Sequence, residues 1–239
     1  MPGIFRFCIL RCTALIVLFF SSGAFAQNTD IELLRSINVH RDRSLDVAMK
    51  NITNFDYPVS MAVPLGELVY GYARHDSTAL ANGLQTIGGY AINAVLSYGL
   101  KYAVNRPRPF TTYPDIQPYE NYTDHSFPSG HTSFAFSTAT SLSISYPKWY
   151  VIAPSYLWAA AVGYSRLHLG VHYPTDVLAG AVIGAGSSWL AYKGNRWLQK
   201  RKNGSKTGKS VFWLWSLQFS LFFNENLWRS LSCGYSNLV

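Results

Sequence analysis

From residue 78 to residue 100 the chain runs for 23 residues without a charged side chain. A helix of about 20 apolar residues crosses the hydrocarbon core of a bilayer, so this run is long enough to span one. Four further segments read as helices around it. Residues 59–73 contain Pro64 and Glu67 and are the least regular. Residues 132–147 carry no charge, but half of the 16 are Ser or Thr. Residues 149–165 and 177–192 are also uncharged. The last is rich in Ala and Gly, and Gly180 and Gly184 form a small-x-x-x-small face that lets helices approach closely. The last three segments fall short of a perpendicular span, and the mean hydropathy of the chain is only +0.05. Membrane burial therefore has to be judged segment by segment. The expectation is an all-α helical bundle, membrane-embedded, with five or six transmembrane or membrane-associated helices.

Charge supports that reading and excludes others. Charged residues make up 13% of the chain and apolar residues 49%, the reverse of a disordered composition. The net charge is +8, and it is unevenly placed: residues 1–176 hold 12 Lys/Arg against 11 Asp/Glu, while residues 177–239 hold 8 against 1. The excess forms a cluster at Lys193, Arg196, Lys200, Arg201, Lys202, Lys206 and Lys209, directly after an apolar segment. A cytoplasmic flank obeying the positive-inside rule accounts for this better than a nucleic-acid patch. Three cysteines cannot build a disulfide framework, and Cys8 and Cys12 lie in a leader, leaving Cys233.

Residues 1–26 fit that leader. Arg6 and Arg11 precede a short apolar stretch, and Ala24-Phe25-Ala26 is an A-x-A cleavage pattern before Gln27. The segment acts as a signal peptide or as an uncleaved signal anchor. Either way residue 27 lies outside the cytoplasm. Counting segments from there places the connections 27–58, 101–131 and 166–176 outside, and the basic cluster inside. The domain reading is 1–26 leader, 27–56 N-terminal extracytoplasmic segment, 57–192 helical domain, and 193–239 basic and aromatic tail.

Three constellations lie in the outer connections. The first is Lys101, six residues, then Arg108-Pro109. The second is Pro128-Ser129-Gly130-His131. The third is Ser165-Arg166, five residues, His172, three residues, Asp176. Lys101, Arg108 and Arg166 are three cations on one side of the bundle. Arginine offers a planar fork of donors matched to phosphate oxygens, and lysine a point charge. Ser129 and Gly130 precede a helix, where free backbone N–H groups and the dipole favour an anion. Pro174 suits a first helical position, which puts His172 just before a helix and Asp176 about one turn in. A carboxylate there reaches back to one ring nitrogen of His172 and makes the other more nucleophilic. His131, beside the anion site, is placed to give a proton to a leaving oxygen. Each motif alone is weak. Together, on one face and suited to one ligand type, they point to a phosphate site.

These motifs resemble the three signatures of the type 2 phosphatidic acid phosphatase superfamily: K-x6-R-P, P-S-G-H and S-R-x5-H-x3-D. All positions are present in order, over roughly residues 57–192. The superfamily includes membrane lipid phosphatases, soluble periplasmic acid phosphatases and vanadium haloperoxidases. The resemblance implies an all-helical bundle with the motifs at one end. It implies His172 as the nucleophile, forming a phosphohistidine, Asp176 as the residue that orients it, and His131 as the proton donor and later the activator of water. Lys101, Arg108, Arg166, Ser129 and the Gly130 amide would bind the phosphate. No cofactor or metal is implied, and the sequence has no H-E-x-x-H and no cysteine pair at zinc spacing. His168 is a rival nucleophile by position, but the register selects His172. His125 and Arg106 match no signature position and read mainly as solvated loop residues.

The leading functional expectation is a lipid phosphatase of the bacterial inner membrane with its site facing the periplasm. Its partner would be a phosphorylated membrane lipid of the lipid A, undecaprenyl diphosphate, phosphatidylglycerol phosphate or phosphatidic acid type. The aromatic loop 111–126, with Tyr113, Tyr119 and Tyr122 beside Phe110, would lie at the interface. The alternatives are a soluble periplasmic acid phosphatase and a non-catalytic lipid-phosphate-binding membrane protein. No nucleic acid and no protein partner is inferred. Residues 203–209 read as a linker whose Gly204-to-Lys209 spacing is one residue short of a P-loop. The aromatic stretch 210–223 is too short to span and suits a membrane surface.

Overall fold

The computed structural model describes residues 23–204. Residues 1–22 of the leader and the stretch 205–239 lie outside them. The chain divides between Tyr192 and Lys193 into two compact units, and every residue of the three constellations belongs to the first. The described residues are all-α, as expected. The helices are α1 (Gly23–Asn38), α2 (Asp46–Arg74), α3 (Ser77–Val104), the single turn α4 (Pro109–Thr112), α5 (Gly130–Ser145), α6 (Trp149–His168) and α7 (Pro174–Gly204), with a 3-10 turn at Arg43–Leu45.

Each long helix reaches further than its apolar run, and the extensions carry the chemistry. α2 starts at Asp46, well before the predicted residue 59, and includes both Pro58 and Pro64. The early part was hidden because its inward positions are polar: Thr53 and Asp56 are buried. α3 begins on an N-cap, Asp76, whose carboxylate accepts the N–H of Thr78 at 2.8 Å. It runs past Leu100 to a left-handed C-cap at Asn105, so Lys101 stands on its last turn. α5 starts at Gly130, α6 continues through Arg166, and α7 starts on Pro174. The C-termini of α3 and α6 and the N-termini of α5 and α7 thus carry the motifs.

The bundle is polar inside and apolar outside. The Thr53 and Ser165 hydroxyls bond at 2.6 Å. Tyr90 donates to the Ser60 carbonyl at 2.8 Å, Asn93 donates to Ser133 at 3.2 Å, and Ser137 meets Ser188 at 2.7 Å. Outward positions instead carry Val69, Tyr72, Val95, Leu157, Leu178 and Val182, all exposed. A water-soluble bundle shows the opposite distribution. The same distribution explains the low mean hydropathy. Among the described residues no helix is long and apolar enough to cross a membrane.

Small residues set the helix spacing. A Cβ on Gly180 would lie 2.6 Å from the Ser129 carbonyl oxygen, and one on Gly184 would collide with the Ser133 carbonyl. The anticipated small-residue face of α7 is therefore the surface against α5. Asn38 of α1 is fully buried. It donates to the His168 carbonyl at 2.8 Å and accepts the Gln117 N–H at 2.8 Å. Gly170 has a φ of +69° and would press a Cβ against the Asn38 amide, so only glycine fits both demands. Ile31 and Leu34 of α1 join Ile116 and Tyr173 in an apolar cluster that ties the N-terminal helix to the motif end of the bundle.

Two glycine substitutions test this packing. Gly184→Ala forces α5 and α7 apart and lowers stability by about 1–3 kcal/mol. Gly99→Ala, where a Cβ meets nothing within 4 Å, raises helix propensity and leaves stability unchanged or higher by up to about 1 kcal/mol. Thermal midpoints of the two variants in detergent, measured against the wild type, check both signs.

Candidate active site

The four helix ends enclose a cavity of about 100 Å³. Lys101, Arg108, Gly130, His131, Arg166 and His172 line it, with Tyr57, Tyr122, Asp124 and Phe134 among the remaining wall residues. The structure thus brings six of the eight anticipated residues to one surface. Asp176 is a seventh, behind His172 and fully buried. Ser129 departs from the expectation: its hydroxyl meets Thr132 Oγ1 at 2.9 Å, and the residue does not line the cavity. Its backbone works instead, donating its N–H to the Asp176 carbonyl at 3.0 Å, which fastens the start of α5 to the start of α7.

His172 is held between two environments. Its Nδ1 is 3.5 Å from Asp176 Oδ2 and 3.5 Å from Ser126 Oγ, and the Ser126 hydroxyl donates to the same Asp176 oxygen. Its Nε2 is 3.5 Å from Arg108 Nη1. The Asp176 contact therefore lies on the side of the ring away from the nitrogen that meets Arg108. Burial is the main reason the His172 pKa falls to about 4. The cations Arg108 and Arg166 push the same way against the opposing pull of Asp176. His131, with its ring centroid 4.8 Å from that of Tyr57, is driven down to about 2 by burial and then by Arg166 and His172. Burial alone would raise Asp176, but hydrogen bonding and charge from His172, then Arg106, bring it below the usual carboxylate range. At neutral pH the pair is a neutral imidazole beside a carboxylate.

The cations are ordered by partners that sequence spacing did not suggest. Lys101 Nζ donates to Asp124 Oδ2 at 2.6 Å and to the His125 carbonyl at 2.5 Å. Arg108 donates to Asp124 Oδ1 at 2.5 Å, to the Asp124 carbonyl at 2.9 Å and to the Val171 carbonyl at 2.8 Å. Its guanidinium also lies 4.6 Å from the Tyr122 ring centroid. Asp124 bridges the two cations while its own side chain stays half exposed. Partial burial works against it, but the hydrogen bonds from Lys101 and Arg108 take its pKa to about 2. Arg166 is different. It is 1% exposed, and its Nε and Nη1 have no hydrogen-bond partner. A buried guanidinium with two unsatisfied donors, in a wall shared with His172 and His131, suits an anion.

Three sequence readings need correcting or completing. Arg106 is no solvated loop residue: it bonds Asp176 Oδ1 at 2.7 Å and Asp30 Oδ2 at 2.7 Å. His125 is engaged through its carbonyl, and its ring packs edge-on to Tyr102 at 5.9 Å. His168 is turned to Asp46, 2.9 Å away, and lines no part of the cavity. In the aromatic loop, Tyr122 covers Arg108 and Arg166 and Tyr113 packs against Tyr173. Asp124 of the wall and Ser126 behind it are residues that sequence reasoning missed. Their one signal was proximity to Pro128-Ser129-Gly130-His131.

The chain is similar to known proteins in sequence and in fold. The sequence model of the PAP2 superfamily matches residues 82–200. An undecaprenyl-diphosphatase of Sulfolobus acidocaldarius is 29% identical over 164 residues, covering 68% of this chain and 75% of that protein. The crystal structure of Aquifex aeolicus LpxE superposes with a TM-score of 0.58 at 32% identity, covering 69% of this chain and 95% of that one. A transmembrane PAP2-type phosphatidylglycerolphosphate phosphatase from Bacillus subtilis superposes with a TM-score of 0.62 at 25% identity, covering 79% of this chain and 95% of the other.

The depressed histidines make stability pH-dependent. The unfolded chain protonates both near pH 6.5, whereas the folded site does so only near the lowered values. Stability from keeping them neutral is complete above about pH 6.5 and is lost as pH falls from there toward pH 4. Each histidine contributes a slope of about 1.4 kcal/mol per pH unit in that window. Unfolding midpoints between pH 7 and pH 5 therefore fall, and the fall is shallower by one proton in His172→Asn.

Proposed function

The chain belongs to the PAP2 superfamily, and from that membership we propose that it is a membrane-lipid phosphatase acting through a phosphohistidine on His172. The observation that carries the reading is the buried, unsatisfied guanidinium of Arg166 in the same wall as His172, His131, Lys101 and Arg108. That is a socket for a tetrahedral anion with a nucleophile at its edge.

The chemistry follows from the geometry. His172 Nε2 attacks phosphorus while its Nδ1–H bonds Asp176, which stabilises the positive charge the ring acquires. The bond from phosphorus to the lipid or diphosphate oxygen breaks, and its electron pair leaves on that oxygen. His131 supplies the proton. Burial first, and then the nearby cations, hold its pKa low without ligand; the negative charge of a bound phosphate offsets the cationic part and so favours the protonated form that donates. Water then attacks phosphorus, giving a proton to the now neutral His131. The phosphorus–nitrogen bond breaks, its electron pair returns to Nε2, and inorganic phosphate departs. Arg166, Arg108, Lys101 and the Gly130 amide hold the phosphoryl oxygens throughout. No step requires a metal.

The substrate class is a lipid terminal phosphate or diphosphate. Relatives named for undecaprenyl diphosphate and phosphatidylglycerolphosphate and the apolar outer faces of the bundle support it. The apolar surface speaks against the soluble acid phosphatase. On this reading the helices are membrane-embedded despite their averaged hydropathy. The site then faces the periplasm of a bacterial inner membrane, because the basic run after residue 193 belongs on the cytoplasmic side.

Phosphate release by the detergent-purified protein in EDTA tests the proposal. The panel comprises undecaprenyl diphosphate, lipid A, phosphatidylglycerol phosphate, phosphatidic acid and one soluble ester. The expected result is release from at least one lipid, reduced by about a thousandfold or more in His172→Ala. Hydrolysis of the soluble ester alone, or undiminished hydrolysis in the variant, rejects it. Asp124 supplies a second test. An incoming phosphate must displace its carboxylate from Lys101 and Arg108, a standing tax on affinity. Asp124→Asn therefore lowers the inhibition constant of inorganic phosphate, by about three- to tenfold. A rise instead would make Asp124 a support of the site and not a competitor.

A further inference from the structure

Arg106 is a spacer residue of the first constellation and fills no signature position, and Asp30 precedes the residues 82–200 matched by the superfamily model. Both are nevertheless joined to Asp176 by a continuous chain of charged hydrogen bonds. Arg106 Nη1 donates to Asp176 Oδ1 at 2.7 Å and to Thr175 Oγ1 at 2.8 Å, and Nη2 donates to Asp30 Oδ2 at 2.7 Å. Asp30 accepts the Thr175 N–H at 2.9 Å and the Thr175 hydroxyl at 2.5 Å. The Arg106 guanidinium lies 3.7 Å from the Tyr173 ring centroid. The carboxylates at both ends are buried, with side chains 2% (Asp30) and 0% (Asp176) exposed.

We propose that Arg106 and Asp30 are positioning residues that set the proton affinity of His172 through Asp176, Arg106 lowering it and Asp30 raising it. Asp176 has two oxygens with separate duties. Oδ2 faces His172 Nδ1 and also accepts the Tyr173 N–H at 2.9 Å, while Oδ1 is held by Arg106. The carboxylate cannot rotate without breaking a charged bond. Positive charge on Oδ1 also weakens the hold of Asp176 on an imidazolium proton, and Asp30 cancels part of that positive charge. The other charged or titratable groups facing the pair are Arg108, Lys101, Arg166, His131 and Asp124, and all of these line the cavity. Arg106 and Asp30 do not. They reach Asp176 without touching the space a substrate would use, so they act on the nucleophile and leave anion binding alone. Because Asp30 lies on α1, that helix becomes a working part of the site.

The two residues carry opposite charge, so the test is one of sign. Full-length protein in detergent, labelled with nitrogen-15 at histidine, is titrated by NMR, with the His172 ring assigned from its loss in His172→Asn. Arg106→Gln raises the His172 midpoint by about one pH unit, and Asp30→Asn lowers it by a similar amount. Arg106→Lys, which keeps the charge, stays near the wild type. A merely structural role would leave the midpoint fixed or move it the same way in both variants, and either result overturns the proposal. If Arg106→Gln does not fold, the direction in Asp30→Asn decides alone.

The catalytic consequence rests on the phosphatase reading. With the lipid phosphate that the wild type cleaves fastest, the acid limb of kcat/KM follows the NMR midpoints and KM changes less than about twofold. An inactive wild type would count against the phosphatase reading, while the titration would still decide the role of Arg106 and Asp30.

Discussion

Everything at the motif end of this bundle is arranged around the cost of keeping four cations close together and partly out of water. Lys101, Arg106, Arg108 and Arg166 converge where four helices end, and isolated charges there would be strongly disfavoured. Three are compensated by carboxylates: Asp124 serves Lys101 and Arg108, and Asp30 and Asp176 serve Arg106. Arg166 keeps two unpaired donors. Placing each carboxylate fixes something else in turn. Asp124 folds the loop over the cavity, Asp30 ties α1 to the start of α7, and Asp176 holds His172. The cation cluster and the anchoring of the loop and of α1 are thus one structural problem solved together.

The helices that carry these ends follow a different rule. Their shared interior is lined with hydroxyls and amides that bond one another, and their outer faces are aliphatic and aromatic. In a hydrocarbon surrounding, the hydrophobic effect does not drive helices together. Close contact of small residues and buried hydrogen bonds do. Gly180 and Gly184 against the backbone of α5, with Ser137 and Ser188 beside them, match that requirement. The proposed membrane setting and the low hydropathy are therefore compatible: buried hydroxyls and amides such as those of Ser60, Tyr90, Asn93, Ser133, Ser137 and Ser188 are bonded between neighbouring helices.

What the sequence revealed followed from chemistry with strict spacing. The motif residues Lys101, His131, Arg166 and Asp176 were legible because each sits at a helix end whose position the apolar runs approximately marked, and Arg108 and His172 because strict spacing ties them to those ends. Helix boundaries were less legible. Asp46 to residue 58 of α2 carries inward polar side chains and a proline, which periodicity reads as a connection. Arg106 and His125 were misjudged because a loop residue's partners lie far away in the chain. Asp30 is 76 positions from Arg106, and no local pattern encodes such a pairing. Ser129 was read as part of a helix start with free N–H groups for an anion, whereas its N–H is given to the Asp176 carbonyl, a partner 47 positions away in the chain.

The electrostatics of the site also resolve a tension in the proposed chemistry. A nucleophilic histidine must be unprotonated, yet a carboxylate beside it favours the protonated form. Burial and the neighbouring arginines reverse that preference and hold His172 neutral, while Asp176 remains ionised to receive the charge that develops when the ring attacks. The cations that suppress protonation are the ones that attract a phosphate. Once a phosphate is bound, its negative charge cancels part of their field. Proton affinity at His131 then recovers at the stage when a leaving oxygen needs a proton. Binding and proton transfer thus share one field, and the order of events follows from which anion is present. In the ligand-free structure that anion is Asp124, which holds Lys101 and Arg108 in place but leaves Arg166 unsatisfied, so the site retains a donor set that only an incoming group can complete.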